Sequence, residues 1–130
     1  MDLNSRLEKY IKEFDDDVQL TISNIKEKSL MVSSYQSKWI RYYFQEKHLN
    51  QKLKDAKLEY TKQHANKLSF KPTQTVMPQI QEQDQNIVKL NNEIKNSELC
   101  IEFIEKSMAV LEKMNFQVKN VIDIIKLEQS

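Results

Sequence analysis

The chain has 130 residues with no glycine and two prolines, 39% apolar and 30% charged, at a formal net charge of +1. Glycine is the default residue of tight turns and phosphate-cradling loops, so its absence excludes Walker-type and dinucleotide-binding loops and argues against a sheet-rich fold. No apolar run approaches the roughly 20 residues of a membrane span, Cys100 has no intrachain partner, and the first residues lack a signal-peptide pattern, so the expectation is one soluble, cytoplasmic domain.

Ser5-Arg6-Leu7-Glu8 has the spacing of a capping box, and Leu3, Leu7, Tyr10, Ile11 and Phe14 form one stripe at helical spacing, which predicts a helix over 3–16. Asp15, Asp16 and Asp17 oppose the dipole at a helix C-terminus and mark its end. Val18 and Leu20 then alternate with polar neighbours as a brief extended segment, and Thr21 is placed to cap the next helix.

Over 22–68 nothing stops a helix. Ile25, Val32, Tyr35, Trp39, Tyr42, Leu49, Leu53, Ala56 and Tyr60 follow a heptad seam interrupted only by Lys28 and Glu46. A linker over 69–79 holds Pro72, Pro78 and the β-leaning run Thr73–Met77, the second extended candidate. A second seam over 80–114 runs through Ile80, Ile87, Leu90, Ile94, Ile101, Ile104, Met108 and Leu111, with Gln83 and Ser97 as polar interruptions. Asn115 is the best left-handed cap available without glycine, followed by a short helix over 116–127. The expected fold is all-α: two long coiled-coil-like helices in a hairpin, short helices at both ends, and at most two short extended segments.

An unbroken helix over 22–68 would be about 70 Å long, whereas a compact chain of this size has a radius of gyration near 14 Å. Either that helix breaks, near Ser33-Ser34 or Asn50, or other subunits cover its surface. Phe116, Val118, Val121, Ile122 and Ile125 form an apolar stripe that the long seam cannot cover, which favours a homo-oligomer held by the last helix, most simply a ring or bundle.

The catalytic inventory is thin. His48 and His64 lie about 24 Å apart on a straight helix, so they share no metal, and no cofactor is implied. Cys100 reads as a buried inert thiol, and the Glu98, Glu102 and Glu105 carboxylates as a solvated face. The net charge hides a gradient: Lys38 to Lys71 holds nine Lys/Arg against Glu46, Asp55 and Glu59, a surplus of six, against a deficit of five elsewhere. Arg41, Lys47, His48, Lys54, Lys57, Lys62, His64 and Lys67 lie off the heptad seam, a cationic side that can track a phosphate backbone. Lysine predominates, which suits sequence-independent contact with single strands, and Tyr43 or Phe44 offers a stacking surface unless a neighbouring subunit covers it. The competing readings are a coiled-coil adaptor whose lysines serve solubility and, more remotely, a small hydrolase.

Asp17-Val18-x-Leu20-Thr21, Ser37-Lys38-Trp39-Ile40, Thr75-Val76-Met77 and Asn115-Phe116-x-Val118-Lys119, with Asp123 and Glu128, resemble the pattern of the UvsY family of phage recombination mediators over nearly the whole chain. The family has glycine where this chain has Asn115, in keeping with a cap. Its Lys-x-Arg element at the end of the long helix, implicated in DNA binding, corresponds to Lys62-Gln63-His64. Lys62 carries over, while His64 stands where the family has arginine, whose charge is permanent. The resemblance implies a non-enzymatic mediator, ring-like with six or seven copies. Such a mediator binds single-stranded DNA, remodels the single-strand-binding protein and stabilises a RecA-like recombinase of the UvsX type.

Overall fold

The computed structural model describes residues 5–21, 23–68, 73–74 and 76–129. Expectations placed on Leu3, Ile22, Pro72 and Thr75 lie outside them. Four helices follow in order: α1 (Ser5–Val18), α2 (Ile25–Lys67), α3 (Met77–Gln83) and α4 (Gln85–Gln129). No described residue is in a strand. Val18 is the last residue of α1 and Met77 the first of α3, and no described residue of either expected extended segment is in a strand. The alternating runs are too short to pair without a sheet to join.

The long helices α2 and α4 pack antiparallel and carry most of the tertiary contact. Trp39, Ile104, Leu111, Val32 and Cys100 are its most enclosed side chains, and Phe14 of α1 joins the cluster. Five aromatic rings meet there: Phe14 lies edge-on to Trp39 at 5.3 Å and to Phe103 at 6.0 Å, Trp39 edge-on to Tyr42 at 5.2 Å, and Tyr10 tilts against Trp39 at 6.0 Å and Tyr42 at 5.3 Å. Neither Ser33-Ser34 nor Asn50 breaks α2, which at 43 residues is about 65 Å long.

Three of the polar interruptions of the seams, Lys28, Glu46 and Ser97, are bonded. Glu46, 2% exposed, accepts from Arg6 Nε at 2.6 Å, Arg6 Nη2 at 3.1 Å and Tyr10 Oη at 2.9 Å. Lys28 Nζ donates to the Asp16 and Asp17 carbonyls at 2.7 and 3.3 Å, placing a cation at the α1 C-terminus, where it offsets the run of aspartates. Asp17 itself is buried, accepting from Trp39 Nε1 at 2.9 Å and paired with Lys38 Nζ at 2.6 Å. Asn50 Nδ2 donates to Ser97 Oγ at 2.7 Å across the α2/α4 seam.

Several boundaries differ from expectation. Ser5 lies within α1 and is not a cap preceding it, α1 runs on to Val18, and Thr21 does not cap α2: Asn24 stands at that position, its Oδ1 accepting from the Thr21 amide at 2.7 Å to close the α1/α2 turn. The helix expected over 80–114 is interrupted at Asp84: its first four residues belong to α3, which carries Pro78 in its first turn, and α4 starts at Gln85. Asp84 Oδ1 accepts from the Asn86 and Ile87 amides at 2.9 and 3.2 Å and thereby caps α4. The cap at Asn115 and the separate helix over 116–127 are also overturned. α4 runs through Asn115 to Gln129, and no described residue has a positive φ. The core stripe Leu111, Met114, Val118, Ile122 continues at helical spacing across Asn115, so a left-handed residue there would take Val118, 3% exposed, out of the core.

Candidate nucleic-acid interface

At 100° per residue around α2, Arg41, Phe44, His48, Lys52 and Lys62 fall within about 80° of one another, centred opposite the buried Trp39. All five are exposed. Arg41, His48, Lys52 and Lys62 make no hydrogen bond or ion pair among the described residues, so this outer edge of α2 offers uncommitted cationic groups. Lys47 and Lys54 lie on the flank of that edge. Lys47 Nζ sits 5.5 Å from the Tyr43 ring centroid, and Lys54 Nζ is 3.9 Å from Glu98 Oε1 across to α4, with both side chains half-exposed. Lys67 is exposed at the end of α2.

Two residues of the expected stripe are turned away from it. Lys57 is partly buried and lines a hollow of about 470 Å³ with Pro78, Gln81 and Glu82 of α3. His64 Nε2 lies 3.2 Å from Asp84 Oδ2, and its ring stacks on Tyr60 at 6.1 Å and 16°. The Tyr60 hydroxyl donates to the same carboxylate at 3.0 Å and accepts from Asn86 Nδ2 at 2.9 Å. Burial opposes the Asp84 charge, but the Ile87 amide, Tyr60, the Asn86 amide and His64 outweigh it and hold its carboxyl below the usual range. Lys57 and His64 follow the packed side because the seam drifts as it proceeds: a straight helix gains about 20° per heptad on a 3.5-residue repeat.

α1 covers only one side of the α2/α4 pair. Lys38, Tyr42 and Glu46 of α2 and Phe103 of α4 face it. On the opposite side a groove of about 670 Å³ opens between Gln36 and Ile40 of α2 and Glu105, Met108, Ala109, Glu112 and Phe116 of α4. Glu98, Glu105 and Glu112, seven residues apart and exposed, run along this side as an acidic rail. The rail repels phosphate, so the groove and the outer edge of α2 differ in the partners they accept.

The residues expected to hold subunits together are divided likewise. Val118 is buried in the chain's own core, and Ile122 and Ile125 are partly buried, which removes Val118 from any contact between copies. Phe116 and Val121, 65% and 39% exposed, remain outward, joined by Ile124 at 55%. Sequence spacing alone misses Ile124, because it is a continuous α4 that carries this residue outward, whereas the expected separate helix points it elsewhere.

Chemistry other than binding has little support. Burial, with the Glu46 carboxylate beside it, raises the Cys100 thiol above its ordinary value, the reverse of nucleophile activation. No cluster of three or more His, Cys, Asp or Glu suited to a metal is found among the described residues, and no helix among them is long and apolar enough to cross a membrane.

The family model for the recombination, repair and ssDNA binding protein UvsY matches residues 13–130. The chain belongs to the UvsY family. Two crystal structures of the bacteriophage T4 recombination mediator protein UvsY share its fold. The lattice type IV form aligns over 98% of this chain and 99% of its own with a TM-score of 0.83 at 16% identity. The lattice type II form aligns over 95% and 98% with a TM-score of 0.81 at 14% identity. No curated protein matches by sequence. At such identity the likeness shows the UvsY fold and leaves individual side chains to be argued from this chain.

Proposed function

We propose that this protein is a phage recombination mediator that binds single-stranded DNA without sequence preference and promotes loading of a RecA-like recombinase onto strands covered by single-strand-binding protein. The observation that carries the reading is the uncommitted cationic edge of α2, with Arg41 and Lys62 on it and Lys47, Lys54 and Lys67 beside it. The description of the matching family supports it. Each lysine that neutralises a phosphate releases condensed counterions, which gives affinity without base reading. His64 acts at one remove, by tying the end of α2 to Asp84 at the start of α4, while Lys57 faces the hollow beside α3.

Assembly is the second part of the proposal. The chain exposes 9723 Å², about a third more than the roughly 7200 Å² of a compact monomer of 15.5 kDa. A ring of six or seven copies would cover part of this excess, with Phe116, Val121 and Ile124 at the subunit boundaries. Several weak cationic edges on one strand then act together, and effective concentration supplies the affinity that one edge lacks. A strand held in this way can be released stepwise to a growing recombinase filament.

Fluorescence anisotropy with labelled oligo-dT at two or more salt concentrations tests the reading. Lys62→Ala should weaken binding and lower the slope of log affinity against log salt by roughly 0.7 for each phosphate no longer neutralised, whereas Lys126→Ala should change neither. Binding that is absent or insensitive to salt would favour the adaptor reading. Light scattering of wild type and of Phe116→Ser/Ile124→Ser tests the assembly, with smaller particles expected from the variant.

A further inference from the structure

Two phenylalanines stand well exposed on the long helices, Phe44 at 63% and Phe116 at 65%, and their surroundings have opposite charge. Phe116 borders the groove with Glu105 and Glu112. The neighbours of Phe44 on the surface of α2, three and four residues away, are Ile40, Arg41, Lys47 and His48, with no carboxylate among them. The other exposed apolar residues of α2 lack this combination: Leu58 has Asp55 beside it, and Leu30 has Glu27.

Phe44 is also held in place. The Tyr43 ring is partly buried against the core and meets Phe44 edge-on at 5.4 Å and 76°, while Lys47 Nζ covers Tyr43. Tyr43 therefore serves as a buttress, its own face taken by the lysine, and Phe44 keeps a free face directed outward. Arg41 and His48 lie to either side, about 10 Å apart along the helix axis.

We infer that Phe44 is a stacking site for one unpaired base of a single strand, with Arg41 and His48 receiving the phosphates on either side of that nucleotide. The inference rests on the single-strand reading above and adds a contact to the base itself. Stacking is indifferent to base identity because every base has a π face, so it fits binding without sequence preference. It also explains why an aromatic ring remains in water amid positive charge. Duplex DNA keeps its bases stacked on one another and gains nothing from this contact.

The test compares two probes of equal length: labelled oligo-dT and a fully abasic deoxyribose-phosphate oligomer. Phe44→Ala should weaken oligo-dT binding by about 5- to 100-fold and leave the abasic oligomer unaffected, with particle mass by light scattering unchanged. Phe44→Trp should restore oligo-dT affinity, and its emission should be quenched by oligo-dT but not by the abasic oligomer. Trp39, 0% exposed, contributes a constant background. An unchanged oligo-dT affinity in Phe44→Ala, or an equal weakening for both probes, overturns the inference while leaving the cationic edge in place. A smaller particle for Phe44→Ala overturns it in favour of an interface between copies. Failure of the wild type to bind either probe overturns this inference together with the function proposed above.

Discussion

Asn50 on α2 and Ser97 on α4 meet side chain to side chain at 2.7 Å inside the seam between the long helices, and Ser97 Oγ in turn donates to the Ile94 carbonyl at 2.8 Å. A buried polar pair of this kind is satisfied in one alignment of two long helices and left unpaired in every shifted one. It therefore selects register more than it adds stability.

Asn50→Ala should cost about 1–3 kcal/mol, since it opens a hole and leaves Ser97 without its donor. Asn50→Leu with Ser97→Ala should recover much of that stability. Urea denaturation measures both. The expected mark of a slipped register is a broadened transition or a change in particle mass in the double variant, and a transition as sharp as wild type would remove the register role.

Arg6 and Glu46 tie α1 to the middle of α2. Arg6→Ala leaves a carboxylate that is 2% exposed with only Tyr10 as a partner, and should destabilise the protein by about 2–4 kcal/mol. Arg6→Ala with Glu46→Gln should cost less than the single change, because no unpaired charge remains. Equal destabilisation of the two variants, read by thermal unfolding, would mean that the ion pair is not what holds α1.

Stability should fall at both extremes of pH. Burial, then the bond to Glu46, raises Tyr10 far above the ordinary tyrosine value, and burial, then Glu13, raises Tyr42. Burial lowers Lys38, but Asp17 and Glu13 more than reverse it and leave it raised. These three folded-state values lie above the unfolded ones, so their contributions are complete below about pH 10 and fade as pH climbs through the raised values. Asp84 is the opposite case: its contribution is present above the ordinary carboxylate value and fades below about pH 4. The melting temperature should be level through neutrality and decline in both windows. A melting temperature constant from about pH 9 to about pH 11.5 would contradict the alkaline half.

His64→Gln should leave oligo-dT affinity unchanged, since His64 faces Asp84 from within the α2/α4 junction, while Lys62→Ala two residues earlier should reduce it. Parallel anisotropy titrations of the two variants decide this. A drop in affinity for His64→Gln as large as for Lys62→Ala would return the imidazole to the strand-binding edge.

The long helices and their seams were legible because apolar spacing is a local property, and Trp39, Ile104 and Leu111 sit in the core where that spacing places them. The partners of polar seam residues were not legible. Glu46 meets Arg6 forty positions away, and nothing local to either residue announces the pair. Asn115 misled because its tolerance of the left-handed region is only a permission, and the burial of Met114 and Val118 on either side overrides it. The basic edge was half legible. Lysine content located it on α2, but the drift of the seam that takes Lys57 and His64 inward shows only when α3 and α4 are in place.

α1 is attached differently from the rest. Phe14, Tyr10 and Val18 pack against the core, and its other ties are polar: Arg6 and Tyr10 to Glu46, Glu13 to Tyr42, Asp17 to Trp39 and Lys38, and its last carbonyls to Lys28, groups that water can satisfy in exchange. The α2/α4 seam loses apolar burial when it opens and has no such substitute. α1 contributes fewer core side chains than α2 and α4, so its amides should exchange with deuterium ahead of those around Trp39 and Ile104. Opening there would uncover a new aromatic flank, Trp39 with Phe103, on the side of the hairpin away from the groove. The chain therefore holds one sticky surface in reserve under a clasp made of charge.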